Sequence, residues 1–245
     1  MNRLYQIYQK NELLFSLAWI ALYIASLSAA DGISEGLGMA KSVTAPLCIL
    51  LSLLLWGWIR KNGLAEKYGL CPFRGDMGRY LYFIPLAVIA SVNLWNGFTF
   101  RFSAAETVLY VASMLCAGFL EEVIFRGLLF QALCRENVNQ AILISSVTFG
   151  LGHIVNLLNG AEVSSTLLQV CYACAIGFLF TVIFYKGKSL VPCIATHSAV
   201  NSLSAFAVEG TMRCDLLTAA ALTAVSAGYA LVILKADRGR GTSGG

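Results

Sequence analysis

Charge is what this sequence has least of. Asp, Glu, Lys and Arg together make up 12% of its 245 residues, while 58% are hydrophobic and the mean hydropathy is +0.73. A soluble domain carries about 25% charged and 45–50% apolar residues. Too little polar surface remains to cover a globule in water, so lipid must solvate most of the chain. Histidine is scarcer still, with only His153 and His197. No internal repeat is visible, so the inverted-repeat signature of many transporters is missing. The eight cysteines (Cys48, Cys71, Cys116, Cys134, Cys171, Cys174, Cys193 and Cys214) imply no disulfide framework. Cys171 and Cys174 form one C-x-x-C within an apolar run. With no second pair nearby, the spacing is poor for zinc or redox chemistry.

What is present is a series of long apolar runs. A membrane span needs about 20 such residues to cross roughly 30 Å of hydrocarbon. Eight spans are predicted, at 13–30, 43–59, 80–96, 106–134, 141–158, 163–185, 190–208 and 216–235. No alternating period accompanies them, and backbone satisfaction in lipid then requires helices. The fold class is therefore all-α, a polytopic transmembrane bundle. The fourth run is too long for a simple crossing and is expected to tilt or to begin at the interface.

Positive charge sets the orientation. With the N-terminus cytoplasmic, thirteen basic residues fall on the cytoplasmic side: Arg3, Lys10, Arg60, Lys61, Lys67, Arg74, Arg79, Arg135, Lys186, Lys188, Lys235, Arg238 and Arg240. Only Lys41, Arg101 and Arg213 face outward, and Arg126 lies within a span. This is the positive-inside pattern, with both termini on one side. It accounts for the basic balance without a nucleic-acid partner. The stretch Ser26-Leu27-Ser28-Ala29-Ala30 resembles a signal-peptidase site, although the run before it is long for a signal peptide. The 60–79 connection reads as a basic loop or a short interfacial helix, with Tyr68 and Tyr80 at headgroup level. Trp56, Trp58 and Trp95 read as interfacial belt residues. Residues 239–245 are Gly/Ser-rich and expected to be disordered.

Ionisable side chains inside a bilayer cost about 2.5–3.5 kcal/mol each on insertion scales, so a span that keeps several is a candidate site. The fourth span keeps three in Glu121-Glu122-Val123-Ile124-Phe125-Arg126. Glu122 and Arg126 are four apart, on one helical face, and can pair. Glu121 points elsewhere and remains as the carboxylate free to act as a general base. Both histidines lie in predicted spans. Phe149 sits one turn before His153, and Gly150 and Gly152 allow close helix approach. Asn201 sits one turn after His197, so an imidazole and a carboxamide can both donate to one oxygen, as an oxyanion hole requires. A lone intramembrane histidine or asparagine is often a helix–helix hydrogen-bonding device worth about 0.6 kcal/mol. Five such residues together are hard to explain that way. Asn93, Asn96, Asn156, Asn159 and Gln169 read as anchors or interhelical bonds and are given no role.

The pattern Glu121-Glu122-x-x-x-Arg126, Phe149-x-x-x-His153, His197-x-x-x-Asn201 resembles that of the CAAX protease and bacteriocin-processing family (the Abi or Rce1-like intramembrane proteases). The resemblance covers about 105–208, which it implies to be a catalytic core. Residues 1–104 then form N-terminal spans with the basic loop, and 209–245 form the last span and tail. It further implies a site within the bilayer, in a cavity opening toward the cytoplasm. Glu121 would be the general base, His153 would share its water, His197 and Asn201 would stabilise the oxyanion, and Glu122 and Arg126 would orient the helix. No cofactor is required in that reading. Zinc held by Glu121, His153 and His197 is the alternative chemistry, disfavoured because Asn201 suits an oxyanion donor better than a zinc ligand. The implied partners are lipid and a membrane-anchored peptide or protein, cut near the cytoplasmic face. A bacterial plasma membrane is the implied setting. A non-catalytic binding or immunity protein and a proton-coupled transporter are the rival functions.

Overall fold

Side-chain oxygens start the helices where the sequence turns apolar. Asn11 accepts from the Leu14 amide at 2.8 Å and Asn137 from the Gln140 amide at 3.1 Å. Ser103 and Glu106 form a reciprocal capping box, which satisfies amides that the first helical turn leaves orphaned. The computed structural model describes residues 3–238; the expected disordered stretch 239–245, with Arg240, lies outside them. Among the described residues there are nine helices and no β-strand. Helix α1 (Arg3–Lys10) leads into α2 (Glu12–Gly36) and α3 (Thr44–Lys61). A segment kinked at Tyr80–Tyr82 (Met77–Phe83) precedes the short α4 (Ile84–Ala90). Helix α5 (Ala104–Glu122) continues as a π-helical stretch (Val123–Phe130) and a last turn (Gln131–Leu133). Then come α6 (Val138–Gly152), α7 (Val163–Gly187), α8 (Val191–Leu203) and α9 (Met212–Arg238).

Among the described residues, seven segments are long and apolar enough to cross a membrane, and the chain is an integral membrane protein of helical class. They match seven of the eight predicted spans. The eighth, 190–208, is shorter as a helix, α8 with a 3₁₀ turn at Ser204–Phe206. Its run is interrupted by polar residues that face neighbouring helices rather than lipid, among them Thr196, His197 and Ser198, all buried. It nevertheless connects the two ends of the bundle. At one end Leu190 N–H donates to the Gly69 carbonyl at 2.8 Å, and Glu12 pairs with Lys67 and Arg135 at 2.8 and 2.9 Å. At the other, Thr99 N–H donates to the Phe206 carbonyl at 2.9 Å, and Asp31 pairs with Lys41 at 2.7 Å. We call these the basic end and the far end.

Three readings change. The third span is broken, because Leu81, Tyr82 and Phe83 are left-handed (φ 48°, 50° and 57°). Pro85 lacks an amide hydrogen and fits only the first turn of a helix, so α4 starts there. Of the two readings of the 60–79 connection, the loop holds and the interfacial helix does not, but the loop is packed on the core. Tyr68 is 1% exposed and Tyr80 6%, both packed into the core rather than set at headgroup level. Burial pushes the Tyr68 phenol above its ordinary pKa, and its hydrogen bond with Tyr8 adds to this. Trp58 is also buried, stacked on Phe15 at 4.9 Å, so it belongs to the core and not to the belt.

Candidate active site

Small residues bring α5 and α8 together. A Cβ on Gly118 would lie 2.7 Å from the Ser198 amide nitrogen and 2.8 Å from its Cα. The Ser198 hydroxyl donates to the Leu115 carbonyl at 3.0 Å. Glu121 lies one turn beyond Gly118, and His197 next to Ser198, so this close approach sets carboxylate against imidazole.

The two adjacent acids do different things. Glu122 is fully buried; its Oε1 accepts from Arg126 Nη1 at 2.9 Å and faces His197 Nδ1 at 2.8 Å. Arg126 is fully buried as well, its guanidinium carbon 4.1 Å from the Phe149 ring centroid. Pairing and ring contact offset the cost of burying that charge. Glu121 Oε1 accepts from the Tyr23 hydroxyl at 2.7 Å, and its Oε2 lies 3.5 Å from His197 Nε2. The imidazole thus bridges the two acids, one per ring nitrogen. Directly after the pair, α5 widens into its π-helical stretch, where the carbonyl of Phe125 is taken up by the Ser145 hydroxyl of α6 at 2.9 Å. Such π-turns recur at functional sites.

Glu121, His153, His197 and Asn201 all line one cavity of about 990 Å³, whereas Glu122 and Arg126 lie behind its wall. His153 ends α6 with its ring edge-on to Phe149 at 5.5 Å. It makes no hydrogen bond to Glu121 or His197 among the described residues. The Asn201 carboxamide likewise has no partner there and is free toward the cavity. Among the described residues no group of three or more His, Cys, Asp or Glu side chains is arranged to hold a metal ion.

The sequence reading missed Tyr23. It stands 98 positions before the acid it contacts, in a span otherwise unremarkable for polarity. The amides given no role, Asn93, Asn96, Asn156, Asn159 and Gln169, all line the cavity. The mouth is also corrected. The lining runs from Glu121 to Asp31, Lys41, Asn159, Glu162 and Asp215 at the far end. Toward the basic end the site is floored by Leu120, Ile124, Leu128 and Phe130, each at most 2% exposed. The resemblance implied a cavity opening toward the cytoplasm; the residues that line this one lead to the far end, away from the basic end.

These features define a polytopic helical membrane protein with a buried acid–imidazole site at the bottom of a cavity of about 990 Å³. Residues 103–203 match the model of the type II CAAX prenyl endopeptidase Rce1-like family. That segment holds all three motifs, so over its site the chain is similar to a family of membrane proteases. None of the curated proteins or solved structures compared with the chain matches it.

Proposed function

We propose that the chain is an intramembrane endopeptidase that hydrolyses a peptide bond of a membrane-associated peptide or protein, with Glu121 as general base. The observation that carries this reading is the Glu121–His197 contact of 3.5 Å on the cavity wall, with Tyr23 and Glu122 holding the remaining atoms of the pair. Glu121 and His197 are each held by another group before substrate arrives, a preorganisation that favours acyl chemistry.

In this mechanism a water beside Glu121 gives it a proton while the water oxygen attacks the substrate carbonyl carbon, His153 holding the water from the other wall. The carbonyl π electrons move onto oxygen. The oxyanion accepts hydrogen bonds from the Asn201 carboxamide and from His197 Nε2–H. On collapse the C–N bond breaks, and the departing amine takes the proton back from Glu121. Behind His197, Glu122 Oε1 meets both its Nδ1 at 2.8 Å and Arg126 Nη1 at 2.9 Å, so the buried acid has its partners at hand. An uncompensated charge there would be costly. No step is routed through a metal.

The test of the oxyanion roles is kinetic. Asn201→Ala and His197→Gln should each lower kcat by about 10²–10³-fold with KM little changed, the loss typical of one oxyanion-hole donor. A rise in KM with kcat intact would instead mark both residues as substrate-binding groups.

A further inference from the structure

The cavity has a side. Its walls climb from Phe125, Phe149 and Phe180 at the bottom to the far end of the bundle, and the core beneath Glu121 closes it toward the basic end. Among the described residues, Lys41, Arg101 and Arg213 are the only Lys or Arg residues assigned to the mouth side, against twelve on the other. Helices insert with their Lys/Arg-rich connections in the cytoplasm. The basic end, where Lys67 and Arg135 meet Glu12, is then cytoplasmic, and the mouth is not.

The mouth also has a sign. Asp31, Glu162, Glu209 and Asp215 line it against a single lysine, Lys41, which is already paired with Asp31 at 2.7 Å. Arg101 approaches Glu209 only to 3.8 Å, with the Glu209 side chain 93% exposed, so water screens that contact. Deeper in, the amide of Asn156 donates to Gln169 at 2.9 Å, and the floor is aromatic. Acidic rim, amide walls and aromatic floor form a gradient in one direction. A cleft lined by one sign of charge concentrates ligands of the other.

We infer that Glu121 and His197 are reached from the extracytoplasmic side, and that the substrate is an extracytoplasmic, membrane-associated peptide segment bearing positive charge beside an apolar stretch. The substrate half rests on the peptidase reading; the sidedness does not.

Two measurements separate them. Glu209→Cys at the mouth and Arg135→Cys at the basic end are treated with a membrane-impermeant maleimide in sealed right-side-out and inside-out vesicles. Adducts beyond those of the parent chain are counted by mass. Glu209→Cys should gain its adduct only in right-side-out vesicles and Arg135→Cys only in inside-out ones; the reverse pattern overturns the sidedness whatever the protease assay gives. The same vesicles then receive two fluorogenic peptides with an identical Leu-rich stretch, flanked by lysines in one and glutamates in the other. The lysine peptide should be cleaved from the right-side-out face, and about tenfold faster than the glutamate peptide at low salt, the lower end of what a charge-lined cleft gives. The triple variant E162Q/E209Q/D215N should erase that preference while still cleaving the glutamate peptide. Equal rates for both peptides with wild type overturn the charge preference alone. Cleavage of neither peptide from either face overturns the substrate class and the peptidase reading together, with the labelling result standing on its own.

Discussion

His197 Nδ1 lies 2.8 Å from Glu122 Oε1, inside a wall that no solvent reaches on the Glu122 side. With one ring nitrogen fixed by this contact, the other has a single direction in which to act, toward Glu121 and the cavity. The acid pair is thus divided into one carboxylate that orients and one that works.

Removing one partner of the orienting pair should be costly. Glu122→Gln or Arg126→Met leaves the other charge buried, a loss of about 3–5 kcal/mol when a buried pair is broken from one side. Thermal unfolding in detergent should show both variants strongly destabilised. The double variant E122Q/R126M should recover part of the loss, because no uncompensated charge remains. Additive losses would mean that the two residues act independently.

Tyr23→Phe removes one hydroxyl and nothing else from the Glu121 contact. A hydrogen bond to a charged group is worth about 1.5–3 kcal/mol, so kcat should fall by roughly tenfold to a hundredfold. The unfolding temperature should fall modestly, because the same bond is present in the resting protein while the ring keeps its packing. An unchanged kcat would show that the hydroxyl does not position the base.

Close packing of α5 on α8 should be as sensitive as the chemistry. Gly118→Val drives side-chain carbon into the Ser198 backbone, 2.7–2.8 Å from an added Cβ. It should lower stability and activity together. Gly228→Ala in α9 meets nothing within 4 Å; it should be neutral or should add up to about 1 kcal/mol through helix propensity. Comparing the two by unfolding in detergent separates contact from propensity.

Much of this was legible in the sequence because a bilayer makes polarity expensive. Three ionisable residues within one span could be read as a site, and four-residue spacing was enough to pair Glu122 with Arg126 and to set His197 beside Asn201. The Glu122–His197 contact was not legible, since it depends on how Gly118 and Ser198 bring two helices together across 75 positions. Tyr23 escaped for a similar reason, as a tyrosine in an apolar span resembles any interfacial anchor. The direction of the cavity depends on where helix ends diverge. The sequence carries no periodic trace of that, and the expectation of a cytoplasmic mouth came from the resemblance alone.

The central claim is that Glu121 activates the attacking water, and one substitution tests it most directly. Wild type and Glu121→Gln would be reconstituted in liposomes with a library of membrane-anchored peptides, and the products read by mass spectrometry alongside the unfolding temperature of each protein. The account predicts new peptide termini with wild type only, at matched folding, because the amide keeps the shape of the carboxylate and loses its basicity. Equal cleavage by both proteins would contradict it and would move the catalytic base elsewhere in the cavity.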